Sequence, residues 1–361
     1  MRRRLPPRPT HRNPRRGHAP NARGRRSGED PRLRRAPLPR PEKSLHDSPP
    51  RTAGPPGVLP IDIAITGANG SVGRSLIQRL GEGSLIVPTR LRALVRSLGR
   101  ADALRPLPAE LTEVDYRAPD SVREAIRGAE AIVHLAGALR PRAGESLLDS
   151  NAGTTEALVE AAREAGVKRF IYLSFPGADA GAKNPYLRSK GLAEKAIDAA
   201  GFEGAIFRVP MILGPENAAW TGLRRMASAP VTLLAGGGAV RVQPVSQDDV
   251  LAAVEWALAT PLRPLRVINL VGPETLTFAD LIRRVGVRLG RRPRILPIPR
   301  AAAWLSALLA ARLLPSLGWN WAVFDTLCNE HLADPIPART VLPFPLASVS
   351  ETLDRALSNA A

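Results

Sequence analysis

The sequence contains a single cysteine, Cys328, so it can form neither an internal disulfide nor a zinc site built from several cysteines. Its five histidines are scattered without the spacing of metal ligands, and we expect no metal centre. No apolar run reaches the roughly 20 residues that a membrane-spanning helix needs; Arg312 and Pro315 interrupt the longest candidate. The N-terminus also lacks the apolar stretch of a secretory signal. These absences favour a cytoplasmic protein without a transmembrane segment.

Acidic and aromatic residues are scarce at the N-terminus. Residues 1–59 hold 16 Lys and Arg against 4 Asp and Glu, a net charge of +12 out of +18, and 13 of the 36 prolines, but no Phe, Trp or Tyr. Such a segment buries too little apolar surface to offset its ordering entropy, so we predict that residues 1–58 are disordered. The segment could bind anions, act as a targeting peptide or be an inert extension. We favour the inert extension, without a specific nucleic acid partner, because no aromatic residues alternate with the arginines.

From residue 60 onward the sequence has a strand, a glycine-rich turn and a helix in succession. The apolar run 61–66 is short enough for a buried strand, and Gly67, Gly70 and Gly73 follow it. Glycines let the backbone approach phosphates, and a helix N-terminus offers unpaired N–H groups and a positive dipole end. The spacing differs from the usual G-x-G-x-x-G pattern, but its place between a strand and a helix indicates a pyrophosphate site.

Strand and helix patterns continue to alternate along the chain. Further strands are predicted at 91–97, 109–117, 129–137, 168–174 and 204–213, with helices at 120–128, 151–166 and 184–196. This alternation predicts an α/β fold, a Rossmann-type doubly wound parallel sheet with helices on both faces. We expect the dinucleotide-binding domain at 59–260 and a small C-terminal substrate lobe at 261–361.

The segment "NPYLRSKGLAEKA" places Tyr186 four residues before Lys190, on one face of a helix. The spacing alone is also consistent with an exposed polar stripe. Because the helix follows the fifth strand, however, it begins at the same sheet edge as the glycine turn, where ligands of such sheets bind.

Seven segments in order resemble the short-chain dehydrogenase/reductase superfamily. They are "TGANGSVG", "VDYR", "VHLAG", "YLRSKGLAEKA", "FRVPMILGP", "VQPVSQDDVLAAV" and "VINLVGPETLTFADLIRRV". The resemblance is to the extended and atypical branch, which holds NAD-dependent epimerases/dehydratases, NAD(P)H-binding proteins and relatives of the alpha-subcomplex subunit 9 of mitochondrial NADH dehydrogenase. It covers residues 60 to about 350.

The resemblance implies an NAD(P)-dependent oxidoreductase or epimerase/dehydratase acting on a small molecule. Tyr186 would be the general acid/base, Lys190 would lower its pKa and hold the nicotinamide ribose, and Ser174 would polarise the carbonyl. Active relatives usually carry the working hydroxyl one or two residues later, where this chain has Phe175 and Pro176. The alternative is a non-catalytic NAD(P)H-binding scaffold, or an assembly or regulatory protein.

The cofactor prediction depends on the end of the second strand. Arg96 lies there and no acidic residue is near it in the sequence, which favours NADP(H) over NAD(H) because arginine pairs with a 2′-phosphate. By resemblance Asp115 and Tyr116 flank the adenine, and 210–212 face the nicotinamide amide. The predicted cofactor-binding residues are Thr66, Gly67, Asn69, Gly70, Ser71, Val72, Gly73, Arg96, Asp115, Tyr116, Leu135, Ala136, Gly137, Lys190 and Pro210.

The C-terminal lobe contains an apolar segment, "RRPRILPIPRAAAWLSALLAARLLPSL", that predicts a strand followed by a helix. Trp304, Leu308 and Leu309 could line a cleft for an apolar substrate, dock on a membrane surface or form core, and core is the interpretation we favour.

Overall fold

The structure, a computed structural model, describes residues 60–85, 87–140, 144–313 and 321–358, all within one compact unit of the chain, Ser48–Ala361. The predicted disordered segment 1–58 lies outside the described residues. The strands are β1 (Ile61–Thr66), β2 (Thr89–Val95), β3 (Glu110–Glu113), β4 (Ala131–His134), β5 (Arg169–Ser174), β6 (Glu203–Arg208), β7 (Met211–Leu213), β8 (Val231–Ala235), β9 (Arg241–Val242), β10 (Pro244–Ser246), β11 (Arg266–Asn269), β12 (Leu276–Thr277) and β13 (Arg294–Ile298).

The helices of the described residues alternate with these strands in the first two thirds of the chain and cluster near its end. They are α1 (Ser71–Gly81), α2 (Pro119–Ala125), α3 (Thr154–Glu164), α4 (Pro185–Ala199), α5 (Ala218–Ser228), α6 (Gln247–Ala259), α7 (Phe278–Arg288), α8 (Arg300–Leu313), α9 (Trp321–Cys328), α10 (Ile336–Val341) and α11 (Val349–Ser358). A π-helical turn, Asp149–Gly153, leads directly into α3.

Seven parallel strands form the central sheet, in the order β11-β6-β5-β4-β1-β2-β3. The order reverses direction between β1 and β4, which is the switch point where a doubly wound sheet opens a crevice for its ligand. The predicted Rossmann-type fold is therefore confirmed. The glycine turn after β1 and the helix after β5 both begin at the carboxyl edge of this sheet.

Both faces of the sheet are buried, because successive side chains of each strand point to opposite sides. On β1, Ile63 and Ile65 belong to the core cluster that includes Leu76 of α1 and Val254 of α6. Ala64, which lies between them in sequence, belongs to the cluster formed with α2, α3 and α4. This burial on both faces explains the apolar runs at 63–65 of β1 and 131–133 of β4.

The predicted sixth strand, 204–213, is wrong in its second half. Strand β6 ends at Arg208, and Met211–Leu213 forms the separate β7, which pairs in parallel with β10. Pro210 lies at the break and has no backbone N–H to continue the ladder. The chain therefore leaves the central sheet at the carboxyl edge, close to the predicted cofactor crevice.

Residues beyond 260 contribute both to the central sheet and to a smaller core. Strand β11 pairs with β6, and Ala338 of α10 joins the same core as β1. Elsewhere α5, α7 and α11 pack around Trp220, Leu281 and Leu353. The predicted domain boundary at 260/261 stays a prediction.

The strand and helix predicted in the apolar C-terminal segment are β13 and α8, but core is the wrong interpretation of the helix. Trp304, Leu308 and Leu309 are exposed, whereas Ala303 is buried. The helix turns the small Ala303 inward, and its large apolar residues remain outside. Among the described residues, no helix combines the length and apolarity needed to span a bilayer.

Candidate active site

The turn after β1 brings its backbone against the loop that follows β4. Gly67 has φ of +67°, and a Cβ at this position would lie 2.6 Å from the carbonyl carbon of Leu135 and 2.7 Å from the nitrogen of Ala136. A Cβ at Gly73 would lie 2.6 Å from the Gly67 oxygen. No other residue type fits at either position. The two glycines therefore hold the turn tight against α1 and β4.

The N-terminus of α1 is suited to an anion. Gly70 is its N-cap and provides no side-chain hydrogen bond, and the first turn contains no acidic residue. The backbone N–H groups of Ser71 and Val72 therefore begin the helix without a side-chain cap, where the helix dipole is positive. Asn69 fixes the turn from outside by donating to the carbonyl oxygen of Arg100 at 2.6 Å. These residues fit a dinucleotide pyrophosphate.

A buried hydrogen-bond chain ties the ends of β1 and β4 to α3. Thr155 donates to the Asn151 carbonyl oxygen at 2.7 Å, so its oxygen accepts from His134 Nε2 at 2.9 Å. Nδ1 of His134 then accepts from Thr66 at 2.7 Å, and Thr66 accepts from the Ala136 N–H at 3.1 Å. This pattern assigns the Nε2–H tautomer. Complete burial, followed by the charge of Lys190, lowers the pKa of His134 to about 3, so the ring is neutral.

The end of β2 differs from the sequence-based expectation. Both oxygens of Glu145 accept from Arg96 at 3.0 Å, so the expectation that no acid is near this position is wrong in three dimensions. Glu145 also accepts from the Ser150 hydroxyl at 3.0 Å. Because Glu145 comes 49 residues after Arg96, the local sequence gave no indication of the pair. An acidic side chain, Glu145, and a basic one, Arg96, therefore both lie where the 2′ group of the cofactor ribose is predicted to bind.

The predicted adenine-flanking residues follow the end of β3. Asp115 is exposed, and its carboxylate accepts from the Arg117 N–H at 3.0 Å. Tyr116 is half-buried, and burial raises its pKa above the ordinary value. That Asp115 and Tyr116 contact the adenine stays a prediction.

The loop after β4 is where three elements meet. A Cβ at Gly137 would lie 2.8 Å from Asn151 Oδ1 and 3.0 Å from Lys190 Nζ. Asn151 is buried in the π-helical turn. Its side-chain amide forms two hydrogen bonds with the backbone of Ala138, accepting from the N–H at 3.1 Å and donating to the carbonyl oxygen at 3.0 Å. Single π-turns in helices are frequent at functional sites. Sequence reasoning missed Asn151, although the residue begins the predicted helix 151–166.

Lys190 is a buried ammonium with few partners. Its Nζ donates to the Leu173 carbonyl oxygen at 3.0 Å and lies 4.7 Å from the centre of the Tyr172 ring. Desolvation lowers the pKa of Lys190 to about 8, and the nearby charge of Glu194 opposes this effect. An ammonium has three donors, so this one retains hydrogens for a further acceptor at the crevice.

Tyr186 lies at the start of α4 under an apolar cover. It packs with Leu147 and Ala322, and its ring contacts Phe175 edge-on with centroids 5.4 Å apart. Burial raises the pKa of Tyr186 above its ordinary value, with no opposing effect from Lys190. This is the reverse of the expected lowering by Lys190: burial disfavours the phenolate and is the one cause of the shift.

Ser174 lies at the end of β5, and its hydroxyl is already engaged. It donates to Glu194 at 2.5 Å, and Glu194 also accepts from Arg208 at 2.9 and 2.6 Å. The next side chain, Phe175, turns to Tyr186 and to His331, whose ring centroid is 5.2 Å away. Pro210, in the break between β6 and β7, is half-buried at the same sheet edge.

The α4 N-terminus is anchored to α9 by a residue that the sequence did not single out. Asn184 accepts from the Tyr186 N–H at 2.9 Å and donates to Asp325 at 2.7 Å. Its amide also donates to Thr326 at 3.1 Å. The position of Tyr186 therefore depends on the C-terminal region. Among the described residues, no group of three or more His, Cys, Asp and Glu is placed to hold a metal ion.

The sheet order and the glycine crevice define a dinucleotide-binding protein with a Rossmann-type fold. A family model described as NAD(P)H-binding matches residues 67–250, so the chain belongs to the NAD(P)H-binding family and its cofactor is a nicotinamide dinucleotide.

Individual relatives agree with this assignment. A ceramide reductase of Caulobacter vibrioides is 30% identical over 237 residues, 66% of this chain and 73% of that protein. The mitochondrial NADH dehydrogenase alpha-subcomplex subunit 9 of Arabidopsis thaliana is 29% identical over 263 residues, 69% of this chain and 63% of that protein. The NADP(H) complex of Citrobacter sp. triphenylmethane reductase shares the fold, with a TM-score of 0.64, 21% identity and coverage of 81% of this chain and 99% of that one.

Proposed function

We propose that this chain is an NAD(P)-dependent oxidoreductase or epimerase/dehydratase in which Tyr186 transfers the substrate proton. The observation that carries the proposal is that Asn151 Oδ1 and Lys190 Nζ both lie next to Gly137, in the loop that contacts the glycine turn. A Cβ at Gly137 would be 2.8 Å and 3.0 Å from these two atoms. A buried lysine without a paired carboxylate is unfavourable for folding. A dinucleotide ribose beside Gly137 would offer Lys190 the hydroxyl acceptors that the protein does not supply.

Tyr186, Lys190 and Asn151 have different roles in the proposed reaction. When bound, the nicotinamide would supply a hydride to a substrate carbonyl carbon, or accept one from the corresponding alcohol. Tyr186 donates its hydroxyl proton to the carbonyl oxygen in the reducing direction. Burial raises the pKa of Tyr186, so the hydroxyl is protonated near neutral pH, which is the form that donates. Lys190 binds the ribose, and Asn151 fixes the loop against which the cofactor lies.

The side chains around Tyr186 favour an apolar substrate. Leu139, Leu147 and Leu187 pack around the tyrosine together with Phe175 and Ala322. A polar substrate would be poorly solvated there, whereas an apolar one would bury further surface. The similarity to a protein named ceramide reductase supports the same substrate class.

We infer NADP(H) as the preferred cofactor, held at its 2′-phosphate by Arg96. Arg96 is partly exposed at the end of β2, and a guanidinium matches a phosphate well. The structural neighbours include an NADP(H) complex. Glu145 competes for the same guanidinium, so the phosphate would have to displace this carboxylate or share the arginine with it.

A second function is favoured by Ser174 and by the relatives. The Ser174 hydroxyl is engaged by Glu194, and Phe175 and Pro176 follow it, so no hydroxyl at these positions is available to polarise a carbonyl. Some relatives are named as subunits of NADH dehydrogenase. The chain would then bind the dinucleotide as a structural ligand in an assembly.

Tyr186→Phe separates the two functions. The ring and its packing are kept, so dinucleotide affinity measured by calorimetry should change by less than about twofold. Turnover of an aldehyde and ketone panel of graded chain length should fall by about 10²-fold or more, as expected for loss of a general acid. Undiminished turnover in Tyr186→Phe would exclude the catalytic role. A wild-type protein that binds the dinucleotide but reduces no member of the panel would favour the scaffold.

Gly70→Asp provides the binding control. Gly70 has φ of −70° as the N-cap of α1, a position where Asp stabilises helices, and its Cβ would approach only the Gly67 oxygen, at 3.2 Å. The variant should fold while its carboxylate repels the pyrophosphate. Gly222→Asp on α5, where a Cβ meets nothing within 4 Å, is the matched control and should bind normally.

A further inference from the structure

Helix α8 exposes a continuous apolar face, which we call the α8 face. Trp304, Leu305, Leu308 and Leu309 are 46%, 51%, 50% and 51% exposed. They follow the i, i+1, i+4, i+5 spacing of one helix side, and Ala303 on the opposite side is buried at 8%. Surface helices of soluble domains normally turn the apolar side inward. In α8 the apolar side points outward.

The helix that carries the α8 face has few polar residues. Apart from Arg300, Ser306 and Arg312, every residue of α8 is Ala, Leu or Trp. Leu313 at its end and Trp321 at the start of α9 are also exposed, by 73% and 52%. Contiguous exposed apolar surface of this kind marks an interaction site. At about 1.5 Å per residue, a helix of 14 residues is too short to cross a bilayer.

The stretch of sequence that contains the α8 face carries positive charge and no negative charge. Between Asp280 and Asp325 the sequence has eight arginines and neither Asp nor Glu. Three of the eight pair with acids that lie outside this stretch: Arg283 with Asp280 of the same helix, Arg284 with Glu274 and Arg288 with Asp354. No carboxylate of the described residues pairs with Arg291, Arg292, Arg294 or Arg312. Strand β13 begins at Arg294 and leads through Pro299 into α8.

We propose that the α8 face docks the protein on an anionic membrane surface. The helix would lie in the plane of the interface, with Trp304 and the leucines in the headgroup and acyl boundary. The unpaired arginines would face acidic headgroups. A second copy of the chain would bring like charges together. Residues 1–59, with a net charge of +12, would also be repelled by the arginines.

The double variant Leu305→Glu/Leu309→Glu tests the proposal in the full chain by flotation with phosphatidylcholine vesicles that contain phosphatidylglycerol. Ile336→Glu, at an exposed apolar position on α10, is the matched control. Wild type and Ile336→Glu should float with these vesicles, and the double variant should partition at least about tenfold less. All three chains retain residues 1–59, so any binding by that segment is equal. Melting temperatures should agree because the replaced side chains are half exposed.

Three results would overturn the proposal. One is equal flotation of the double variant and wild type, which would assign binding to other basic segments. Another is failure of the wild type to float with the anionic vesicles. The third combines two measurements: light scattering shows a dimer for the wild type and a monomer for the double variant, while the two float equally. This result would assign the α8 face to contact with a second copy of the chain. Since flotation needs neither cofactor nor turnover, the proposed enzymatic function and the docking can fail independently.

Discussion

Ser174, at the end of β5, donates its hydroxyl hydrogen to Glu194 of α4 across 2.5 Å. The same carboxylate is held by two hydrogen bonds from Arg208, whose pKa is raised first by this hydrogen bonding. An ionised carboxylate is a stronger acceptor than a substrate carbonyl. Ser174 would therefore have to give up a buried charge-assisted bond in order to polarise a substrate.

Ser174→Ala should consequently affect stability more than catalysis. We expect turnover to fall less than about tenfold, whereas removal of a working oxyanion donor costs about 10²–10³. The free energy of unfolding should fall by about 1–3 kcal/mol, because a buried carboxylate loses one donor. Urea unfolding and steady-state kinetics measure the two effects, and Ser189→Ala, at a buried serine on α4, is the control. A hundredfold loss of turnover at unchanged stability would instead assign carbonyl polarisation to Ser174.

The pair between Arg96 and Glu145 predicts how cofactor preference can be changed. Glu145→Gln removes the competing charge, so NADPH should bind about tenfold tighter, while NADH should change little. Arg96→Asp should weaken NADPH far more than NADH. Dissociation constants for both dinucleotides check this, with Glu160→Gln on the exposed side of α3 as control. An equal effect on both dinucleotides would mean that Arg96 does not contact the 2′ position.

Lys190→Met should stabilise the protein at neutral pH while weakening cofactor binding. The pKa of Lys190 falls from 10.5 to about 8 on folding. Between these values the unfolded chain binds more protons than the folded one, so wild-type stability rises with pH across this range and is lower below pH 8. The charge penalty is roughly 3 kcal/mol, reduced by the lost bond to Leu173. We expect a net gain of about 1–2 kcal/mol.

The pH dependence is the check on Lys190→Met. Urea unfolding at a series of pH values should show the advantage of the variant at pH 7, its decline between pH 8 and 10.5 and its disappearance above that range. A variant that is less stable than wild type throughout would show that the contacts of Lys190 with Leu173 and Tyr172 outweigh its desolvation.

Local patterns predicted the parts of the site that depend on one stretch of chain. The bounds of β1 agree with the predicted 61–66, because a short apolar run followed by glycine is recognisable without its neighbours. The split between β6 and β7 could have been anticipated from Pro210. The predicted positions of Tyr186 and Ser174 at the ends of their elements also agree with α4 and β5.

Pairings between distant segments could not be predicted. Glu145 reaches Arg96, and Asp325 reaches Asn184 across 141 residues, and neither contact leaves a local sequence pattern. The exposure of Trp304 shows a different limit. An apolar helix indicates burial against something, but composition does not distinguish the interior of the protein from an external surface.

The final prediction concerns Asn184, which caps α4 and also links it to α9. Asn184→Asp keeps the acceptor for the Tyr186 N–H but replaces the amide donor with an oxygen that faces the Asp325 carboxylate, now 2.7 Å from that amide. Helix α4 should persist, since Asp is a good N-cap, while repulsion releases α9 from Tyr186.

Hydrogen exchange resolved by segment measures this directly. In Asn184→Asp the amides of α9 should exchange at least about tenfold faster, and those of α4 should keep their protection. Asn217→Asp is the matched control, because Asn217 caps α5 through one bond to the Ala219 N–H at 2.8 Å and should tolerate the change. If α9 exchanges equally in the two variants, Asn184 acts only as a helix cap. If α9 exchanges faster only in Asn184→Asp, the Asn184 side chain holds α9 against Tyr186. The KM for the substrate should then also change in this variant.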